Sequence, residues 1–203
     1  MARGTIPVQE GERVSIDATD AGATDLELLR RAQQGGDSAF GELMERHSAR
    51  LYRLAFSLIG NASDVDDVLQ ETFLGALKGV RSFREKSSVK TWFTRILINQ
   101  IARHRRYWRV RNAGRPMSAD SEALLNGELL PARADGTEVQ MDVAQMLQTL
   151  SPEHRVIITL REMDGLSYEE ISEALDVPVG TVESRLFRAR QELRQRLKSY
   201  LVK

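Results

Sequence analysis

The sequence predicts an all-α protein: two small helical domains joined by a flexible acidic linker, the second carrying a helix-turn-helix. Three observations lead there. Apolar residues recur at three- and four-residue spacing through most of the chain. No stretch alternates apolar and polar residues long enough for a strand, and no β-α repeat occurs. The helical stripes lapse over 112–137, a Pro- and Gly-containing acidic stretch, and then resume. A length of 203 residues suits two small domains better than one, and 41% hydrophobic residues supply their cores.

Residues 1–23 are Gly-, Thr- and Asp-rich with little periodicity and read as a flexible tail. Thr24 with Glu27 makes a capping box for a first helix, which Gly35-Gly36 stops. Ser38 to Ile59 places Phe40, Leu43, Met44, His47, Leu51, Leu54, Ala55 and Leu58 on one face, closed by Gly60-Asn61. Ser63 with Asp66 is the expected cap of a third helix, with Val65, Val68, Leu69, Phe73 and Leu77 facing inward. Gly79 to Lys90 reads as a loop or short turn. Thr91 to about Arg109 forms a fourth helix with Trp92, Phe93, Ile96, Leu97, Ile101 and Trp108.

Within the linker, Ser121 to Leu130 is a candidate short helical piece. Periodicity restarts at Glu138 through Val139, Val143, Met146 and Leu147. Ser151-Pro152-Glu153 sets a cap before a proline at the first helical position, and Asp164-Gly165 ends that helix. Ser167 and Glu170 form a second capping box; Tyr168, Ile171 and Leu175 follow on one face. Asp176-Val177-Pro178 breaks the helix, because the residue before proline is pushed out of the α region. Val182, Leu186, Ala189 and Leu193 form the stripe of a last helix, whose other face carries Thr181, Ser184, Arg185, Arg188 and Arg190. Two helices at a short turn, the second basic outside, suit a DNA major groove. The same pattern fits an ordinary helical hairpin with a solvated basic face.

Charge sharpens the choice. The formal net charge is +0, yet 81–115 holds eleven Lys or Arg against Glu85 alone, and 116–142 holds six acids against Arg133. From 179 to 203 seven basic residues face two acids. Such alternation gives separate surfaces for separate partners, and basic blocks favour nucleic acid through counterion release. The absence of cysteine excludes disulfides and thiolate metal sites. No apolar run approaches the ~20 residues of a membrane span. The acidic start, Glu10, Glu12, Asp17 and Asp20, is unlike a signal peptide, so a cytoplasmic protein is expected.

Three segments together resemble a known family: DVDDVLQETFLGAL (Asp64 to Leu77), SFREKSSVKTWFTRILINQIARHRR (Ser82 to Arg106) and LREMDGLSYEEISEALDVPVGTVESRLFRARQELR (Leu160 to Arg194). In this order and separation they resemble the bacterial sigma factors of the extracytoplasmic-function group, initiation subunits of RNA polymerase that keep only sigma domains two and four. The resemblance covers roughly residues 24–200 and implies domain two at 24–111, a linker at 112–137 and domain four at 138–203. It implies docking on core RNA polymerase through Asp66, Asp67, Gln70 and Glu71, an acidic stripe that would orient association with a basic coiled coil. A solvated helix face is the plain alternative for these acids. Asp64, Asp66 and Asp67 lack the loop glycine and distal glutamate of a calcium site.

The resemblance further implies that the segment at 82–106 captures the single-stranded −10 promoter element. Phe83, Lys86, Ser87, Ser88, Lys90, Trp92, Arg95, Arg103, Arg105 and Arg106 are the candidate contacts, with cations for phosphates and a hydroxyl-rich loop, Phe83 to Ser88, for a flipped base. Trp92 is expected partly exposed and Phe93 buried. The helix from Val179 implies reading of the duplex −35 element by Thr181, Glu183, Ser184, Arg185, Phe187 and Arg188; Phe187 packing inside remains open. The linker acids Asp120, Glu122, Glu128 and Asp135 match a segment that in the family traverses the RNA exit path. Partners implied are core polymerase, promoter DNA and an anti-sigma factor, with no membrane insertion, no cofactor and no metal.

Two other classes fit the sequence less well. A repressor or response-regulator output domain shares the helix-turn-helix, but residues 1–137 show no alternating receiver pattern. A DNA-processing enzyme needs clustered metal-binding carboxylates or a nucleophile with its base, whereas His47, His104 and His154 are scattered.

Overall fold

The computed structural model describes residues 23–112, 143 and 145–201, with side chains over 23–106, 143 and 145–197. Among the described residues the structure is helical throughout, with no strand, as the periodicity predicts. The elements are α1 (Asp25–Gln33), α2 (Asp37–Ile59), α3 (Ala62–Gly79), a 3₁₀ turn (Val80–Ser82), α4 (Val89–Asn112), α5 (Pro152–Ile158), a π turn (Thr159–Met163), α6 (Tyr168–Leu175) and α7 (Val179–Leu201). The expected tail, the linker with its piece at Ser121 to Leu130, the four linker acids and Val139 lie outside the described residues, as does the side chain of Trp108.

Local chemistry accounts for most helix ends. The Thr24 and Ser167 capping boxes both form, each hydroxyl accepting from the N3 amide while the Glu27 or Glu170 carboxylate accepts from the cap residue's own N–H. Ser151 caps α5 by accepting from the His154 N–H, ahead of Pro152. Two starts differ from expectation. Asn61, not Ser63, caps α3, its side chain accepting from the Ser63 N–H at 3.0 Å. α4 starts earlier because Ser88 Oγ accepts from the Thr91 N–H at 3.0 Å. The α5 helix runs into the π turn before stopping at Asp164 and Gly165, the glycine at φ +69°.

In the first bundle α1 packs on α2, α2 on α3 and α4, and α3 on α4; Leu28, Leu29, Leu43, Leu51, Leu58, Phe93 and Leu97 are fully buried. In the second, α5 and α6 pack on α7 around Ile157, Leu160, Leu166, Ile171 and Leu186. The bundles touch: α4 lies against α6 and α2 against the π turn, and the buried apolar residues of both form one cluster. Where α2 ends, Gly60 takes φ +82°, and a Cβ there would meet Gln148 Nε2 at 3.1 Å. The backbone turn therefore favours glycine at this corner, and a larger residue would also press on the Gln148 side chain.

Arg155 seals the joint. Its guanidinium, 4% exposed, donates to the carbonyls of Leu147 (2.9 Å), Gln148 (2.6 Å), Leu150 (3.2 Å) and, across the joint, Leu58 (3.2 Å). Burial pulls its pKa down to about 10, helped by the nearby Arg105 cation, so it stays charged at neutral pH. Leu58 O is one of the last carbonyls of α2 and also accepts from Arg105 at 2.9 Å. Two cations thus complement the negative end of one helix.

Candidate nucleic-acid and polymerase interfaces

The turn before α7 is set by Asp176, held left-handed at φ 55°, by the Val177 N–H bonded to Ser172 O, and by Ser172 Oγ donating to Val177 O at 2.6 Å. Pro178 O then accepts from Thr181 and Val182 and starts the helix. Val182, Leu186 and Ala189 turn inward, fully or almost fully buried. The opposite side presents Glu183, Ser184, Phe187 and Arg188, with Thr181 and Arg185 half-buried at its edge. Phe187 is 63% exposed, which resolves the choice the spacing left open: its ring is offered to solvent, not to the core. Arg185 lies 3.6 Å from Glu153 and Arg190 forks onto Glu162 at 2.7 Å, whereas Arg188 makes no ion pair among the described residues. An exposed row holding a carboxylate, a hydroxyl, an aromatic edge and a guanidinium has the chemistry that distinguishes base pairs in a major groove.

On α3 the residues Asp66, Asp67, Gln70 and Glu71 are all exposed along one side. Asp64 is turned away, half-buried 3.8 Å from His104, and burial pushes its carboxyl up from the usual range. The inward stripe of α3 is Val65, Val68, Leu69, Thr72 and Ala76. Leu77, expected inward, is 49% exposed, and Leu74 is 41% exposed. Beyond Ala76 the inward positions are instead Val80, in the 3₁₀ turn, and Phe83 just after it, both buried. The acidic strip therefore continues into an exposed apolar end.

The segment around α4 departs most from expectation. Phe83 is buried, its ring centroid 5.2 Å from Trp92, so it is a core residue and offers no surface for a base. Phe93 is buried and Trp92 half-exposed between Phe83 and Phe93, as expected of the pair. The loop Phe83 to Ser88 is anchored rather than loose: Arg30 forks onto Glu85 at 2.7 Å, and Gln33 Nε2 donates to the carbonyls of Val80 and Phe83 at 3.0 Å. Ser88 Oγ is occupied as the helix cap. Lys86, Arg95, Arg103 and Arg106 are exposed, Ser87 is half-buried, and Arg105 reaches back to Leu58 O. Lys90 is engaged by the second bundle, its Nζ donating to Asp164 O at 2.6 Å.

Beside Lys90 stands a cation the motif reading missed. Arg50 of α2 lies 2.6 Å from the Asp164 carboxylate and also donates to Thr94 Oγ1 (3.2 Å) and Lys90 O (3.3 Å). The available signal was faint: Arg50 falls three residues after His47 and four before Leu54, at the edge of the inward stripe of α2. Among the described residues no group of three or more His, Asp or Glu gathers as a metal site, and no helix is long and apolar enough to cross a membrane.

The first bundle thus carries a basic helix with a partly exposed tryptophan, and the second carries two helices meeting at a tight turn with a polar outer face. Residues 43–110 match Sigma-70 region 2 and residues 140–193 match Sigma-70, region 4. The chain is 36% identical over 181 residues to the ECF RNA polymerase sigma-E factor of Salmonella typhimurium (strain LT2), covering 84% of this chain and 92% of that protein. The sigma-E factor of Haemophilus influenzae is 33% identical over 185 residues, covering 86% and 95%. Among solved structures, CnrH in complex with the cytosolic domain of CnrY superposes with a TM-score of 0.64 at 28% identity, covering 86% of this chain and 97% of that one. The sigma factor RpoE bound to the anti-sigma factor NepR from Bartonella quintana gives 0.59 at 27% identity, covering 78% and 96%. The chain belongs to the ECF family of RNA polymerase sigma factors, promoter-specificity subunits that act in transcription initiation.

Proposed function

We propose a division of labour among three surfaces. Residues 24–111 dock core RNA polymerase through Asp66, Asp67, Gln70 and Glu71 and hold the single-stranded −10 element on α4. Residues 138–203 read the duplex −35 element through Glu183, Ser184, Phe187 and Arg188, with Thr181 and Arg185 at the groove edge. Residues 112–137 connect them, and the tail at 1–23 has no assigned part. On α4 and the loop before it, the −10 contacts are Trp92 for stacking and Lys86, Lys90, Arg95, Arg103 and Arg106 for phosphates. The chain itself catalyses no reaction and acts in the cytoplasm, where the polymerase works.

The observation that carries the proposal is the division of α7, with Val182, Leu186 and Ala189 buried while Glu183, Ser184, Phe187 and Arg188 stand exposed. An anti-sigma factor is the expected regulator, since both structural neighbours are recorded with a bound partner, CnrY or NepR. Such a partner would compete with core polymerase for the α3 strip. The test adds the full chain to core polymerase and scores transcription from a random promoter library. Initiation from a shared pair of −10 and −35 sequences is expected; no chain-dependent initiation would overturn the proposal.

A further inference from the structure

The second bundle covers part of the surface assigned above to the −10 strand, and it does so with oxygen atoms. Asp164 O accepts from Lys90 Nζ at 2.6 Å, and its carboxylate accepts from Arg50 at 2.6 Å. Glu170 Oε1 accepts from Thr91 Oγ1 at 3.3 Å. Carboxylate oxygens on an arginine and a hydroxyl, and a carbonyl oxygen on a lysine, occupy donors that the oxygens of a phosphodiester backbone would also engage. We propose that Asp164 is an autoinhibitory latch that stands in for DNA phosphate, so that the closed chain and capture of the −10 strand exclude one another. The proposal rests on the −10 assignment of α4.

Three further features support a latch that closes firmly yet can open. Asp164 is held in place by its own bundle: its N–H donates to Thr159 O, and the turn is locked by the Leu166 N–H on Leu160 O, both at 3.0 Å. The pair is largely removed from water, with Asp164 5% and Arg50 18% exposed, so its attraction is little screened. Arg50 Nε, however, is buried without an acceptor, which leaves the closed state imperfectly satisfied. The rest of the polar joint consists of single bonds to carbonyls, Gln148 to Ser57 O and Arg155 to Leu58 O, both at 3.2 Å.

The chain has no cysteine, so E45C/Q191C introduces one dye pair, on exposed positions of α2 and α7. Energy transfer in the full-length protein is read alone and with a single-stranded oligonucleotide carrying the −10 sequence selected from the promoter library. Transfer is expected to fall as the oligonucleotide saturates, and D164A is expected to show low transfer without DNA and roughly fivefold or tighter oligonucleotide binding. Transfer in the unmutated background that ignores saturating oligonucleotide would overturn the latch, whether or not D164A folds. So would a folded D164A with unchanged transfer and affinity. R103A and R106A separate the two ideas: if they weaken binding while D164A changes nothing, the latch alone fails. If they also bind normally, the −10 assignment has failed.

Discussion

Arg50 and Asp164, 114 residues apart in the chain, meet at 2.6 Å across the joint between the bundles. Breaking a buried ion pair by removing one partner commonly costs about 3–5 kcal/mol, because the survivor is left desolvated. If the latch proposed above opens, the bundles separate and return the survivor to water. D164A is therefore expected to lower the urea-unfolding free energy of the first bundle by less than about 1 kcal/mol. A single cooperative loss of the full 3–5 kcal/mol, followed by circular dichroism, would mean that the two bundles unfold as one unit.

The exposed end of α3 separates docking from folding. L74A and L77A each remove an exposed side chain and should change stability by no more than about 0.5 kcal/mol. Core-polymerase affinity should fall by about 1–2 kcal/mol at either site if the apolar end is seated in the complex. The buried neighbour behaves oppositely: L69A should cost about 2–5 kcal/mol of stability. Reversing Asp66 and Glu71 to lysine should chiefly slow association, an effect that shrinks with added salt. Titration of fluorescent variants with core enzyme reads the affinities, stopped-flow mixing the association rates, and urea unfolding the stabilities.

Phe187 and Arg188 are neighbours with different expected signatures. R188A should cost about 1–3 kcal/mol on the preferred −35 duplex and relax discrimination at one base pair. F187A should lose affinity mainly where a thymine methyl is presented, and leave the fold intact because its ring is exposed. A panel of single-base duplex variants is the measurement. Uniform loss across the panel would make Arg188 a phosphate contact, and no loss would remove it from the interface.

What could be read from the sequence was what is local. The two capping boxes, the Ser151-Pro152 start and the inward stripe of α7 depend on residues within a turn or two, and each stands where the spacing put it. Departures began where neighbouring turns share one face or one polar group. Leu77 has the right period to be buried but is exposed, and the buried positions beyond Ala76 are Val80 and Phe83. Ser88 is exposed, and its hydroxyl also caps α4, a role the sequence reading did not give it. The role of Arg50 was beyond reach, since nothing near it in sequence announces Asp164.

His47 gives a pH signature. Its Nε2 lies 2.7 Å from the Asp25 carboxylate and its ring 5.0 Å from Phe93. Burial pulls its pKa below the ordinary histidine range despite the pull of Asp25 the other way, and the Arg50 and Arg46 cations add to the decrease. The fold thus prefers the neutral ring, which donates to Asp25. Stability should be flat above the unfolded-state pKa of about 6.5 and fall as pH drops below it toward the lower folded value. H47Q keeps a donor for Asp25 without titrating. The difference in urea midpoint between pH 8 and pH 5.5 should therefore be smaller in H47Q than in the unmutated chain; equal slopes would refute the assignment.

Thr159 closes the set because its fault is visible. It is fully buried at the start of the π turn, and its Oγ1 has no hydrogen-bond partner. A buried hydroxyl without a partner forfeits its hydration, at a cost of about 1–3 kcal/mol. Valine has nearly the same shape and the same branching at Cβ, so T159V removes the polar atom with little repacking. The exchange is expected to raise stability by about 1 kcal/mol, read as a higher urea midpoint at unchanged slope. It should leave Asp164 in place, since the bond that holds it uses the Thr159 carbonyl and not the side chain. A destabilised T159V would instead mean that the hydroxyl is satisfied in solution, by a water or by a shift of the π turn.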